Sequence, residues 1–142
     1  MNSDPISISI IMPAYNEEMS ILDATRQNME TFSSFGLDYE IIIVNDQSTD
    51  QTGVIGNELA EMYEVIRCYH HKTNLGPGGA FKTGISYARK EYVIFVPFDN
   101  ALHPEDLEPY LPRLGICDIV VGVRVERVGY SNFVRFASFF YN

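Results

Sequence analysis

The sequence predicts an α/β domain: a three-layer α/β/α sandwich around a mainly parallel sheet. Three observations predict it. Short β-branched runs alternate with segments of helical spacing, which is the pattern of strand–helix–strand units with right-handed crossovers. One of the runs, "YEIIIVN" (39–45), is apolar almost throughout, as a strand covered on both faces is. The polar clusters fall repeatedly just after the strand runs, where ligands bind in such sheets.

The elements follow in order. "ISISIIM" (6–12) is the first strand. Residues 19–35 form a helix, with Leu22, Thr25, Met29 and Phe32 at helical spacing. Residues 39–45 are the second strand. "DQTGVIGNELAEMY" (50–63) is a helix with Asp50 as its N-cap. "VIRCYH" (65–70) is the third strand, and "PGGAFKTGISYARK" (77–90) a helix opened by Pro77 and glycines. The fourth strand is 92–97. A short helix starts at Pro104 and is limited by Pro109 and Pro112. "CDIVVGVRV" (117–125) is the fifth strand. "SNFVRFASFFYN" (131–142) is a helix with Phe133, Phe136, Ala137 and Phe140 on one face.

Composition bounds the function. A chain of 142 residues, 46% hydrophobic and 13% aromatic, suits one domain with a real core. A net charge of −9 argues against a nucleic-acid partner, because phosphate backbones need clustered Lys and Arg. It leaves room for a small phosphorylated ligand. Cys68 and Cys117 form no CxxC pair and are expected as two unpaired core thiols in a reducing cytoplasm. The N-terminus lacks the basic region and apolar length of a signal peptide. No stretch reaches the ~20 apolar residues of a membrane span.

Four post-strand loops carry the candidate chemistry. "PAYNEE" (13–18) places a proline turn, an aromatic ring and two carboxylates after a buried strand. A nucleotide base could stack or hydrogen-bond there; the alternative is a turn and helix cap. In "VNDQSTD" (44–50), Asp46 stands one residue past a strand and can accept hydrogen bonds from a base or ribose, while Ser48, Thr49 and Asp50 read as a helix cap. In "NLGPGGAFKTG" (74–84), Gly76, Lys82 and Thr83 have the spacing of a phosphate loop. Phe81 replaces the glycine that the phosphate cradle needs, and Lys82 falls inside a helix, so an NTPase is disfavoured. In "PFDN" (97–100), Asp99 is a candidate ligand for a divalent cation bridging a diphosphate, with Asn100 and His103 as weaker ones. The competing reading is an Asx-type turn. His70 and His71 alternate across a strand and make a poor metal pair.

Taken together, "IIMPAYNEE", "IIIVNDQSTDQT", "NLGPGGAFKTGI", "VPFDNALHPEDL" and "DIVVGVRVERVGYSNFVRFASFFYN" resemble the family 2 glycosyltransferases of the Rossmann-like GT-A fold, within them the polyprenyl-phosphate (dolichol-phosphate) sugar transferases. The resemblance runs from about Ile8 to the C-terminus. It implies a UDP- or GDP-sugar donor, a Mg²⁺ or Mn²⁺ ion, an acceptor such as a polyprenyl phosphate, and single-displacement, inverting transfer. By position it implies that Pro13, Ala14, Tyr15 and Glu17 line the base and ribose pocket. Asp46 would contact the base, and Lys72, Asn74 and Gly76 would lie near ribose and diphosphate. Asp99 matches the second acid of the DxD motif and is the implied metal ligand. Arg124 and Arg135 match basic positions that anchor donor or acceptor phosphates; for Arg135 a solvated helix face is the alternative.

Two departures qualify the match. Pro97 replaces the first acid of DxD. The chain also stops where such transferases continue, so the acceptor part is expected to be missing. A degenerate nucleotide-sugar-binding module and a purely structural domain therefore stand beside the enzyme reading. The aromatic stripe of 131–142 is expected to mediate self-association or contact with a partner or a membrane surface. The implied location is cytoplasmic, peripheral to the membrane.

Overall fold

The computed structural model describes residues 6–98 and 102–120. The chain divides into two compact units at Glu108/Pro109. Among the described residues, the first unit contains β1 (Ser7–Ala14), α1 (Ile21–Ser34), β2 (Asp38–Asn45), α2 (Thr52–Met62), β3 (Ile66–His70), α3 (Gly76–Tyr87), β4 (Tyr92–Phe95) and α4 (Pro104–Leu107). Of the second unit, the described part holds a 3-10 turn, Leu111–Arg113.

The four strands form one sheet in the order β3-β2-β1-β4. Every pairing is parallel, as the alternating pattern predicts. Ala14 pairs with Asn45 and Asn45 with His70, so three strands end level. From β1 the chain steps outward to β2 and β3, then returns past β1 to β4. Right-handed crossovers therefore place α3 on the opposite face from α1 and α2. Strand alternation supplies a core to each face. Ile11, Ile42 and Val44 bury against Ala80 of α3, with Phe81 and Tyr69 packed alongside. On the other face Gly56 of α2 lies against Cys68, Ile43 and Ile21.

The approach of α3 is unusually close. A Cβ on Gly84 would lie 2.4 Å from Ile11 Cγ2, so only glycine lets this helix sit down on β1. The open end of the sheet has a comparable cause. Ala14 O accepts the Asp46 N–H and Ile11 O accepts the Val96 N–H. Alternation then turns the backbone of Pro13 toward the β4 side. The last β1–β4 pair is Ile11 with Phe95. Pro13 therefore lacks an N–H where no partner strand remains, and the two strands part there.

Several expectations need correction. The α1 stripe is rotated: Leu22 is exposed, and Asn28 is fully buried in its place. Asn28 belongs there because its amide is satisfied. Nδ2 donates to Ala24 O, and Oδ1 accepts the Leu102 N–H. The fourth strand stops at Phe95, short of Pro97. The α4 helix spans only Pro104–Leu107, because Pro109 cannot continue it. Residues 117–120, expected to open the fifth strand, are not in a strand. Cys117 is exposed rather than core, whereas Cys68 is partly buried; both are free. Burial pushes the Cys68 thiol up to about 12, so it is an inert packing group. The remainder of the fifth strand and the 131–142 helix lie outside the described residues.

Beneath the sheet a polar network ties the α3–β4 connection, through Arg89, to β1, β2 and β3. Ser9 Oγ donates to Glu40 Oε1 at 2.6 Å, and the Arg89 N–H donates to the same oxygen at 2.7 Å. Arg67 pairs with Glu40 Oε2. Burial raises the Glu40 pKa, but Ser9, the Arg89 N–H and Arg67 together outweigh it and leave the carboxyl below its ordinary value.

Candidate nucleotide-binding crevice

At a topological switch point the carboxyl ends of adjacent strands diverge and leave a crevice. Here that point lies beside β1, whose neighbours β2 and β4 are reached by crossovers in opposite directions. Pro13 and Ala14 end β1, and the exposed Tyr15 follows them. Asp46 follows β2 directly. His71, Lys72, Asn74 and Gly76 follow β3. The expected base, ribose and diphosphate residues thus come from three loops at one end of the sheet. Asp99, Arg124 and Arg135 lie outside the described residues.

The first two loops are stitched together. Asn16, in the left-handed region at φ 55°, donates its N–H to Ser48 Oγ at 3.0 Å. Its Oδ1 accepts the Thr49 N–H at 2.8 Å. The Glu17 N–H donates to Thr52 Oγ1 at 2.7 Å. Glu18 and the next loop exchange bonds: its N–H goes to Asp50 Oδ2, and its Oε2 accepts the Gln51 N–H. This changes the expected caps. Ser48 and Thr49 serve the neighbouring loop, the N-cap position of α2 is Gln51, and Asp50 reaches the helix by accepting the Thr52 N–H at 3.0 Å. The Glu17 side chain accepts a bond from the Ser20 hydroxyl, at the start of α1.

The second loop holds the third through three consecutive residues. Asn45 O accepts the His71 N–H at 2.9 Å. Asp46, only 3% exposed, uses Oδ1 twice: it accepts from His71 Nδ1 at 2.6 Å and from the Leu75 N–H at 2.8 Å. Its main-chain oxygen accepts the Asn74 amide at 3.1 Å. Gln47, at φ 63°, bonds the backbone of Lys72 and Asn74. Burial pushes the Asp46 carboxyl up, yet the Leu75 N–H, His71 and the Gly76 N–H outweigh it and hold it below the ordinary carboxylate value. Asp46 is therefore an ionised anchor for the β3–α3 loop, a duty the sequence reading did not foresee.

The two histidines face opposite sides, as strand alternation requires. His70 sits between Asn45 Nδ2 and Asn57 Oδ1, each at 2.9 Å. His71 spans Asp46 and Thr83, whose Oγ1 lies 2.8 Å from Nε2. Gly76 begins α3 at φ 73°, and its N–H is taken by Asn74 Oδ1 at 3.1 Å. Lys82 lies inside α3 and Phe81 stacks edge-on against Phe95, which leaves no phosphate cradle at that spacing. His103 is the N-cap of α4, where its main-chain N–H donates to Asp106 Oδ2 at 3.0 Å. Among the described residues no group of three or more His, Cys, Asp or Glu side chains could hold a metal ion. Among them, too, no helix is long and apolar enough to cross a membrane.

Asn16 and Gln47 escaped the sequence reading. Asn16 carries a weak signal, since asparagine tolerates the left-handed region. Gln47 carries none, because glutamine has no preference for it.

Comparison with known proteins places this geometry. A family model described as glycosyl transferase family 2 matches residues 9–141. A relative named glycosyltransferase AglD, from Haloferax volcanii, is 32% identical over 123 residues, covering 84% of this chain and 20% of its own. A dolichyl-phosphate beta-glucosyltransferase of Dictyostelium discoideum is 36% identical over 110 residues, covering 72% of this chain and 34% of its own. The crystal structure of S. aureus TarS 1-349 in complex with UDP superposes with a TM-score of 0.58 at 27% identity, over 75% of this chain and 31% of that one. The chain thus spans about a third or less of the length of these relatives.

Proposed function

We propose, from the premise that this chain belongs to glycosyl transferase family 2, that it carries the donor-binding crevice of a glycosyltransferase. That enzyme moves a sugar from a UDP- or GDP-sugar to an acceptor of the polyprenyl-phosphate class. The observation that carries the reading is the stitched set of three loops at the carboxyl ends of β1, β2 and β3. A crevice whose loops are already hydrogen-bonded to one another binds at a lower ordering cost, and transfer depends mainly on positioning and electrostatics.

In this reading Pro13, Ala14 and Tyr15 border the base, with the exposed Tyr15 ring as its stacking surface. Asp46 orients the base from beneath and anchors the loop beside it, while Glu17 contributes through its backbone at the loop junction. Lys72, Asn74 and Gly76 face ribose and diphosphate. Arg124 and Arg135 hold phosphates of donor or acceptor. Asp99 is the one protein carboxylate that would hold a Mg²⁺ or Mn²⁺ ion, together with oxygens of the donor diphosphate. When bound, such an ion neutralises charge on the departing nucleoside diphosphate. A phosphate acceptor is already ionised at neutral pH and attacks the anomeric carbon without a protein base. Dolichyl phosphate in the name of a relative supports that acceptor class and, because such an acceptor is a lipid, a place of action at a membrane surface.

A second reading has one observation in its favour. Pro97 stands where the first DxD acid belongs, which suits a module that binds nucleotide sugar without turnover. A thermal-shift screen of UDP, GDP and their sugars with Mn²⁺ or Mg²⁺, followed by a product assay on polyprenyl phosphate, separates the two. A shift with product supports the transferase, and a shift without product supports the module. No shift with any nucleotide contradicts both.

A further inference from the structure

Gln47 sits where its backbone should not want it. It is exposed, lies at φ 63° and is not glycine. A side chain in that region strains the backbone, so the conformation persists only if its surroundings hold it. What holds it is the β3–α3 loop. Gln47 Nε2 donates to Lys72 O at 3.0 Å, and Gln47 Oε1 accepts the Asn74 N–H at 3.0 Å. One planar amide thus grips the two backbone groups that straddle Thr73. It satisfies both and fixes the direction in which residue 72 leaves the loop.

The grip falls on main-chain atoms alone. Among the described residues no ion pair or hydrogen bond engages the Lys72 ammonium, which stays at the exposed end of its side chain. Asp46 anchors the same loop from below, through Leu75 and Asn74. The loop is therefore fastened at 71, 72, 74 and 75, while among the described residues nothing binds its cation. A lysine on a loose loop would have to order both backbone and side chain at the moment of binding, and a clasped one only its side chain.

We infer that Gln47 is a positioning residue: its side-chain amide clasps the Lys72–Asn74 backbone and presents the Lys72 ammonium to the diphosphate of the bound nucleotide. The inference rests on the nucleotide-sugar reading above and adds to it a residue that touches no ligand. Glycine at 47 relieves the strain and deletes the clasp. Asparagine tolerates the backbone and is one methylene too short to reach both groups.

The test is a double-mutant cycle on the whole chain, read by calorimetry with UDP and with GDP in the presence of Mn²⁺. Gln47→Gly should melt near the parent temperature, because relief of the backbone strain offsets most of the two lost bonds, yet bind the diphosphate more weakly by about fivefold or more. Gln47→Asn should follow it. Lys72→Met should weaken binding as well, and Gln47→Gly/Lys72→Met should lose clearly less than the product of the two single effects, because the clasp acts mainly through the ammonium. Hydrogen exchange at the Asn74 amide should quicken in Gln47→Gly whether or not nucleotide is present. Parent-like affinity in Gln47→Gly, or effects that multiply in the double variant, would overturn the inference. If the amide exchanges at the parent rate, there is no clasp. If the parent binds neither nucleotide while the exchange difference holds, the clasp stands and the nucleotide reading fails, taking with it the assignment of Lys72 to a diphosphate.

Discussion

Replacing Asp46 by asparagine tests the anchor it forms beneath the β3–α3 loop. In the parent, one buried carboxylate oxygen accepts from His71 Nδ1 and from the Leu75 N–H. Asparagine keeps an acceptor of the same shape and loses the charge. Hydrogen bonds to charged groups contribute ~1.5–3 kcal/mol and neutral ones ~0.5–1.5. Two bonds weakened from the first class to the second cost about 1–3 kcal/mol. In a chain of this size that lowers Tm by about 3–9 °C. Asp46→Ala removes the acceptor altogether and should cost roughly 2–5 kcal/mol, because two inward-facing donors lose their partner. Thermal melts at neutral pH, with nucleotide titrations on the same samples, provide the assay. Both variants should melt lower and bind nucleotide more weakly, since the loop bearing Lys72 and Asn74 is loosened. If Asp46→Asn melts with the parent, Asp46 does not anchor the loop and the energetic argument is wrong.

Other outcomes follow from the same geometry. Gly84→Ala should destabilise by about 1–3 kcal/mol despite alanine's better helix propensity, because its Cβ would meet Ile11 at 2.4 Å; equal stability in urea melts would show that α3 can lift away freely. Glu40 and Asp46 both have folded pKa values below their ordinary ones. Their stabilisation is therefore complete above the ordinary carboxyl range and is lost as pH falls through the folded values. An acid titration should show Asp46→Asn and Glu40→Gln each with a shallower loss of stability below pH 4 than the parent (about the ordinary carboxyl value), and a parent-like slope would remove these groups from the acid response. Asp99→Ala should abolish any gain in Mn²⁺ affinity that a nucleoside diphosphate confers; a gain that survives in calorimetry would assign the metal elsewhere.

Much of the fold was legible because it rests on period and punctuation. The apolar run of residues 39–45 could only be a strand covered on both faces, and such strands imply helices on either side. The position of Asp46 one residue past that strand was equally legible. What it bonds was not, because His71 and Leu75 lie 25 and 29 residues away in sequence and only the β2–β3 register brings them under its carboxylate. Leu22 misled for a related reason. Hydropathy favoured it for the core, whereas Asn28 earned burial through bonds to Ala24 and Leu102 that no local pattern displays. Ser48 and Thr49 carry a genuine capping composition, yet Asn16 of the preceding loop claims them first. Gln47 gave no sign at all, since its left-handed backbone is imposed by a tertiary clasp.

The central claim is that three loops at the carboxyl end of this sheet form a preorganised nucleotide site. Calorimetric titration of the chain with UDP and with GDP, with and without Mn²⁺, tests it most directly. The account predicts saturable one-to-one binding of at least one of them, tighter with the metal and weakened by Asp46→Asn and Lys72→Met. Absence of binding by either nucleotide under both conditions would contradict it.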